Sequence, residues 1–136
     1  MQPPSSPLVS ALRGLNIAIV GGDVRDAQVS RLRRVFALRD VIHCTTRQTD
    51  ASPRRFQSAL RRPRVVLVIW LCGLSRTNHG KQLRAICRQL GLPWLDSPRI
   101  PHPHLLAARV AELHILEAIE RRRALVLADA SSGGAR

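Results

Sequence analysis

The chain of 136 residues has no tyrosine, only two tryptophans and only two phenylalanines. Proteins that hold unpaired nucleic-acid strands stack bases on aromatic rings, so this shortage argues against that class. Cysteine is also sparse. Cys44, Cys72 and Cys87 cannot all pair, and no C-x-x-C spacing occurs. Each lies in an apolar stretch, which fits reduced, buried thiols and excludes a zinc knuckle or a thioredoxin-type motif. The longest unbroken apolar run, Val65 to Cys72, has eight residues. That is far short of the roughly 20 needed to span a bilayer. The start, Met1 to Pro7, has neither a basic leader nor an apolar core of signal-peptide length. The expectation is a cytoplasmic protein with no membrane partner. Lysine is nearly missing as well: Lys81 stands alone among 22 basic residues, the rest being arginine.

What is present fits one domain. A hydrophobic fraction of 45% argues against disorder, and a chain of this length buries about two thirds of its unfolded surface without staples. Residues 1–13, rich in Pro and Ser, read as a flexible leader, 14–130 as a single α/β domain and 131–136 as a tail. Leu15 to Val20 reads as a strand ending in the tight turn Gly21-Gly22, and a helix follows from Asp26 with Val29, Leu32, Val35 and Phe36 on one face. Asp40 to Thr46, with Val41, Ile42, His43 and Cys44, reads as a second strand. Ser52-Pro53 starts a short helix that buries Phe56, Ala59 and Leu60. Val65 to Cys72, apolar throughout and β-branched, has the pattern of a central parallel strand covered on both faces. Leu83, Ile86, Cys87 and Leu90 mark the next helix, which Gly91 ends. Pro93-Trp94-Leu95 is a fourth strand and Asp96 to Pro101 a rigid loop. A long helix runs from about His104 toward Arg123, and Ala124 to Ala128 either extends it or forms an edge strand. Strands alternating with helices imply right-handed crossovers and a three-layer, Rossmann-like or flavodoxin-like parallel sheet of about four strands.

In such sheets ligands bind beyond the carboxyl ends of the strands, where strand order reverses. For the order 2-1-3-4 the reversal falls between the first and third strands, whose following loops are the two most glycine-marked in the chain. The ligand-binding expectation is therefore Gly21, Gly22, Asp23, Ser75, Arg76, Asn78, His79 and Lys81. Free amides at a helix N-terminus, with Arg76 and Lys81, suit an anion. Neither loop completes a nucleotide motif. Gly21-Gly22-Asp23 lacks the later glycines of G-x-G-x-x-G. Gly73 and Gly80-Lys81 are separated by six residues where a phosphate loop has four, and Gln82 replaces its Ser or Thr. The plain alternatives are a capped tight turn and a solvated loop.

No catalytic set is complete, which leans away from an enzyme, and no cofactor is specified. Ser75 and His79 have no acidic residue in their loop to orient an imidazole. His102, His104, His43, Cys44 and His79 form too loose a pattern for a metal site. The net charge of +13 fits acidic partners. Arg31, Arg34, Arg54, Arg55, Arg61, Arg62, Arg84 and Arg88 fall on outward helix faces; sharing one side of the fold, they would attract a nucleic-acid backbone. Otherwise they solvate helix surfaces. The final helix, more broadly apolar than one covered face requires, suits a homo-oligomer.

The chain also resembles a family of small bacterial domains of unknown function. The likeness rests on Val20-Gly21-Gly22, Leu74-Ser75, Arg84, Cys87 and Gly91-Leu92-Pro93, over residues 16 to about 113. It departs where Arg76 replaces an expected histidine and His79 follows three residues later. The resemblance implies a Rossmann-like fold and no assigned activity. From the residues themselves the reading is a binding or regulatory module for a phosphorylated or nucleotide-like anion, with nucleic-acid association and oligomerisation as alternatives.

Overall fold

The computed structural model describes residues 7–22, 25–44, 53–71 and 78–133. In chain order the elements are α1 (Pro7–Leu12), β1 (Asn16–Val20), α2 (Asp26–Val35), β2 (Asp40–Cys44), α3 (Pro53–Leu60), β3 (Val65–Leu71), α4 (Asn78–Leu90), β4 (Trp94–Ser97), α5 (Pro103–Glu112) and α6 (Leu116–Gly133). The four strands form one all-parallel sheet in the order β2-β1-β3-β4. The fold is α/β, of the Rossmann-like or flavodoxin-like kind that the alternation of strands and helices implies.

Every residue of β1 and β3 is buried, as expected for central strands roofed on both sides. Side chains alternate between two cores. Ile17, Ile19, Leu67, Ile69 and Leu71 join Leu32 of α2 and Phe36 just beyond it with residues of α1, α5 and α6. Ala18, Val20, Val68 and Trp70 meet Phe56 and Leu60 of α3 and Leu83 and Cys87 of α4. Right-handed crossovers explain the division. The chain steps in one direction from β1 to β2, then in the other from β2 to β3 and from β3 to β4, so α2 lands on one face and α3 and α4 on the other.

A bulge interrupts the β1–β3 ladder. Asn16 pairs with Val65 but Ile17 pairs with Leu67, so Val66 is the additional residue. Val66 and Leu67 consequently face the same core.

Four boundaries differ from the sequence reading. Pro7–Leu12, read as part of a flexible leader, is helical, and its Leu8, Ala11 and Leu12 are buried beside α6. Leu8, Ala11, Leu12 and Leu15 follow the i, i+3, i+4, i+7 spacing that Pro and Ser composition masked. The long C-terminal helix is two. His114 takes a left-handed φ of 55°, and its N–H and that of Ile115 bond back to Ala111 and Val110. This closes α5 in the manner usually reserved for glycine. Residues 124–128 continue α6, with no edge strand, and the helix runs on to Gly133, into the segment read as a tail. Asp96 and Ser97, read as loop, complete β4. Gly91 ends α4 as expected, with φ 66° and Leu92 N–H bonded to the Cys87 carbonyl.

Candidate functional site

Parallel strands bring the ends of β1, β2 and β3 together. Gly21 N–H donates to the Cys44 carbonyl at 2.8 Å. His43 Nε2 lies 2.9 Å from the Gly21 carbonyl, which only accepts, so this nitrogen carries the proton. Gly21 and Gly22 have φ of 106° and 71° and press against Leu71, the last residue of β3. A β-carbon on Gly21 would sit 3.1 Å from the Leu71 carbonyl oxygen; one on Gly22 would sit 2.9 Å from Leu71 Cδ1. The glycines are what the close approach of the β1 turn to β3 requires. Helices α2 and α4 both point their N-termini toward this end, where the helix dipoles favour negative charge.

Of the expected ligand residues, Gly21 and Gly22 are thus placed at the β1–β3 reversal. Asn78 and His79 belong to the first turn of α4, not to the loop before it, which moves the helix start two residues upstream of Gly80. Gly80 is buried and Lys81 is exposed. Asp23, Ser75 and Arg76 lie outside the described residues, as do the side chains of Asn78, His79, Arg54 and Arg55.

A groove of about 600 Å³ opens on the same end, between α2, the β4–α5 connection and α5. The row is continuous across the sheet, because Leu71 touches Gly21 and Gly22 on one side and pairs with Ser97 on the other. Arg31, Arg99 and Arg109 line it, with Asp96, His102 and Glu112 as the other ionisable groups and Ile100, Leu105 and Ala108 as its apolar surface. Arg109 is tied to Glu112 at 3.3 Å. Arg31 and Arg99 are exposed. The connection is held by Pro98, Pro101 and Pro103 and by the Ser97 hydroxyl, which donates to the Arg99 carbonyl. His102 caps α5, its Nδ1 accepting from His104 N–H. Among the described residues no three His, Cys, Asp or Glu side chains gather as metal ligands.

Of the groove-lining residues only Arg31 belongs to the sites the sequence pointed to. The usable signal was the position of Asp96 to Pro101 just beyond a strand's carboxyl end, where such folds bind ligands.

The described arginines expected on a nucleic-acid face divide between the two sides of the sheet. Arg31 and Arg34 ride on α2, on one side of the sheet, whereas Arg61, Arg62, Arg84 and Arg88 accompany α3 and α4 on the other. The crossover geometry that separates those helices separates their outward faces too. Arg84 is half-buried, and Arg88 lies over the Trp94 ring at 5.8 Å. Among the described residues no helix is long and apolar enough to cross a membrane.

Comparison of the chain with protein-family models, with curated proteins and with solved structures found no match.

Proposed function

We propose that the protein is a binding or regulatory module for a small phosphorylated or nucleotide-like anion, held at the carboxyl end of the sheet. The observation that carries this reading is the side-by-side placement of β1 and β3 with Gly21 and Gly22 fitted against Leu71. That arrangement brings the β1 turn and the N-terminal ends of α2 and α4 to the reversal point, where backbone amides and helix dipoles suit an anion. The neighbouring groove supplies room for the body of the ligand, and Arg31 and Arg99 supply charge that needs no metal. The likeness of Val20-Gly21-Gly22 to the small bacterial domains accords with this reading and adds no activity to it.

A thermal-shift series with inorganic phosphate, pyrophosphate and nucleoside mono- and diphosphates tests the reading. At a ligand concentration of 100 Kd the folded state gains about 2.7 kcal/mol, which raises Tm by roughly 8 °C for a domain of this size. Lys81→Ala should reduce the shift for every phosphate, and Arg31→Ala with Arg99→Ala should reduce it more for nucleotides than for pyrophosphate. A Tm indifferent to all of these anions rejects the proposal.

A further inference from the structure

The opposite end of the sheet is built differently. Strands begin there and helices α2, α3 and α4 end there. Helix carbonyls draw cations in general, but here they already have partners. Ala37 and Leu38 N–H bond to Arg34 and Arg33 carbonyls, and Arg61 and Arg62 N–H bond to Gln57 and Ala59 carbonyls. Arg122 donates to the carbonyls of Val65 and Leu90, and Arg123 to those of Ala11 and Arg13.

Further guanidiniums remain at this end, five of them on the connections between elements. Arg13, Arg39 and Arg64 stand just before β1, β2 and β3, and Arg61 and Arg62 follow α3. Among the described residues their side chains make no hydrogen bond or ion pair. Four are exposed and Arg64 is half-buried. Arg61, Arg62 and Arg64 form one wall of a second groove, of about 660 Å³, facing Arg122, Leu125 and Asp129 of α6. Among the described residues the carboxylates at this end include Asp40 and Asp129. Asp40 accepts from the Val41 N–H, and Asp129 acts on Arg122, opposing the downward push that burial gives its pKa. Among the described residues no acid is paired with these five guanidiniums.

We propose that this strand-start end binds the phosphate backbone of double-stranded nucleic acid without reading its sequence. The backbones of Arg39 and Arg64 lie two strand spacings apart, about 10 Å, which puts both guanidiniums on one end of the sheet. Guanidiniums suit phosphate oxygens through paired N–H donors. The duplex is favoured over single strands because the rings are taken: Phe36, Phe56 and Trp70 are fully buried, and Trp94 is half-buried under Arg88. None is free to stack on an unpaired base. This surface is distinct from the small-anion site at the other end, and neither depends on the other.

Fluorescence anisotropy of a labelled mixed-sequence 20-base-pair duplex tests it across a salt series. Five phosphate contacts predict a log–log slope of about −4.5, or about a 500-fold loss of affinity from 50 to 200 mM salt. Arg61→Gln with Arg62→Gln should lower that loss to about 40-fold. Arg13→Gln with Arg39→Gln, on different segments, should do the same. Arg31→Gln with Arg99→Gln, at the far end, should leave the slope unchanged. The proposal is overturned by equal losses from the far-end pair, by tighter binding of the matching single strand, or by displacement of the duplex with polyglutamate at equal charge concentration.

Discussion

Alanine at Gly21 should destabilise the fold more than alanine at Gly22, and both more than alanine at Gly91. All three positions have positive φ, so each substitution carries the left-handed penalty of about 1–2 kcal/mol for a residue with a β-carbon. They differ in what that carbon meets. Gly91, at φ 66°, has nothing within 4 Å, which leaves the left-handed backbone penalty alone, about 1 kcal/mol. At Gly22 the new carbon approaches Leu71 Cδ1 at 2.9 Å. This is the far end of a side chain, and an off-rotamer shift of the leucine costs about 1 kcal/mol more, for a total near 2 kcal/mol. At Gly21, φ is 106°, beyond the left-handed well of about 50–70°. The obstacle there is the Leu71 backbone carbonyl at 3.1 Å, which cannot retreat without disturbing the β3 strand itself. A loss of about 3 kcal/mol or more is expected. Urea unfolding of the three variants, with m-values checked for constancy, gives the ranking directly. If Gly21→Ala were no more harmful than Gly91→Ala, the close approach of the β1 turn to β3 would be wrong, and the small-anion proposal would lose its foundation.

Two further tests concern groups that hold the layers together. Arg122→Lys should cost about 2 kcal/mol, because one ammonium cannot span the Val65 and Leu90 carbonyls, 3.1 and 2.8 Å from Nε and Nη1; an unchanged urea midpoint refutes the clamp. Cys87, fully buried between α4 and the sheet, has its thiol pushed up to about 12 from 9.0 by burial. The folded chain therefore keeps the proton that the unfolded chain loses. The thiol's contribution is whole below pH 9 and declines as pH rises from 9 toward 12, by at most about 1.4 kcal/mol per pH unit. Unfolding midpoints of the wild type should fall more steeply over that range than those of Cys87→Ala, and parallel curves would contradict the assignment.

Much of this architecture was legible because it depends on local pattern. The apolar run from Val65 announced a central strand, and β3 is buried from end to end. The spacing of Leu83, Ile86 and Cys87 announced one buried face, and all three are buried. The order 2-1-3-4 is a supposition that alternation permits and handedness alone does not fix, and β1 does lie beside β3. The groove was not legible, since α2 and α5 meet across more than 70 residues of sequence and no periodicity reports that meeting. The break at His114 gave no sign either: neither Gly nor Pro marks it, and a histidine takes the strained conformation. The arginine faces illustrate a middle case. Helical spacing tells which side of each helix is wet, but only the direction of each crossover tells on which side of the sheet that helix lies.

The bulge at Val66 has a consequence for the parity of β3. Were the strand to pair residue for residue from Asn16 and Val65 onward, every later side chain would turn over. Trp70 would then swing toward the layer of α5 and α6, and Leu71 would turn its back on the β1 turn, leaving Gly22 facing no leucine. One inserted valine near the start of the strand thus decides, two turns of the pleat later, which residues meet at the other end of the molecule.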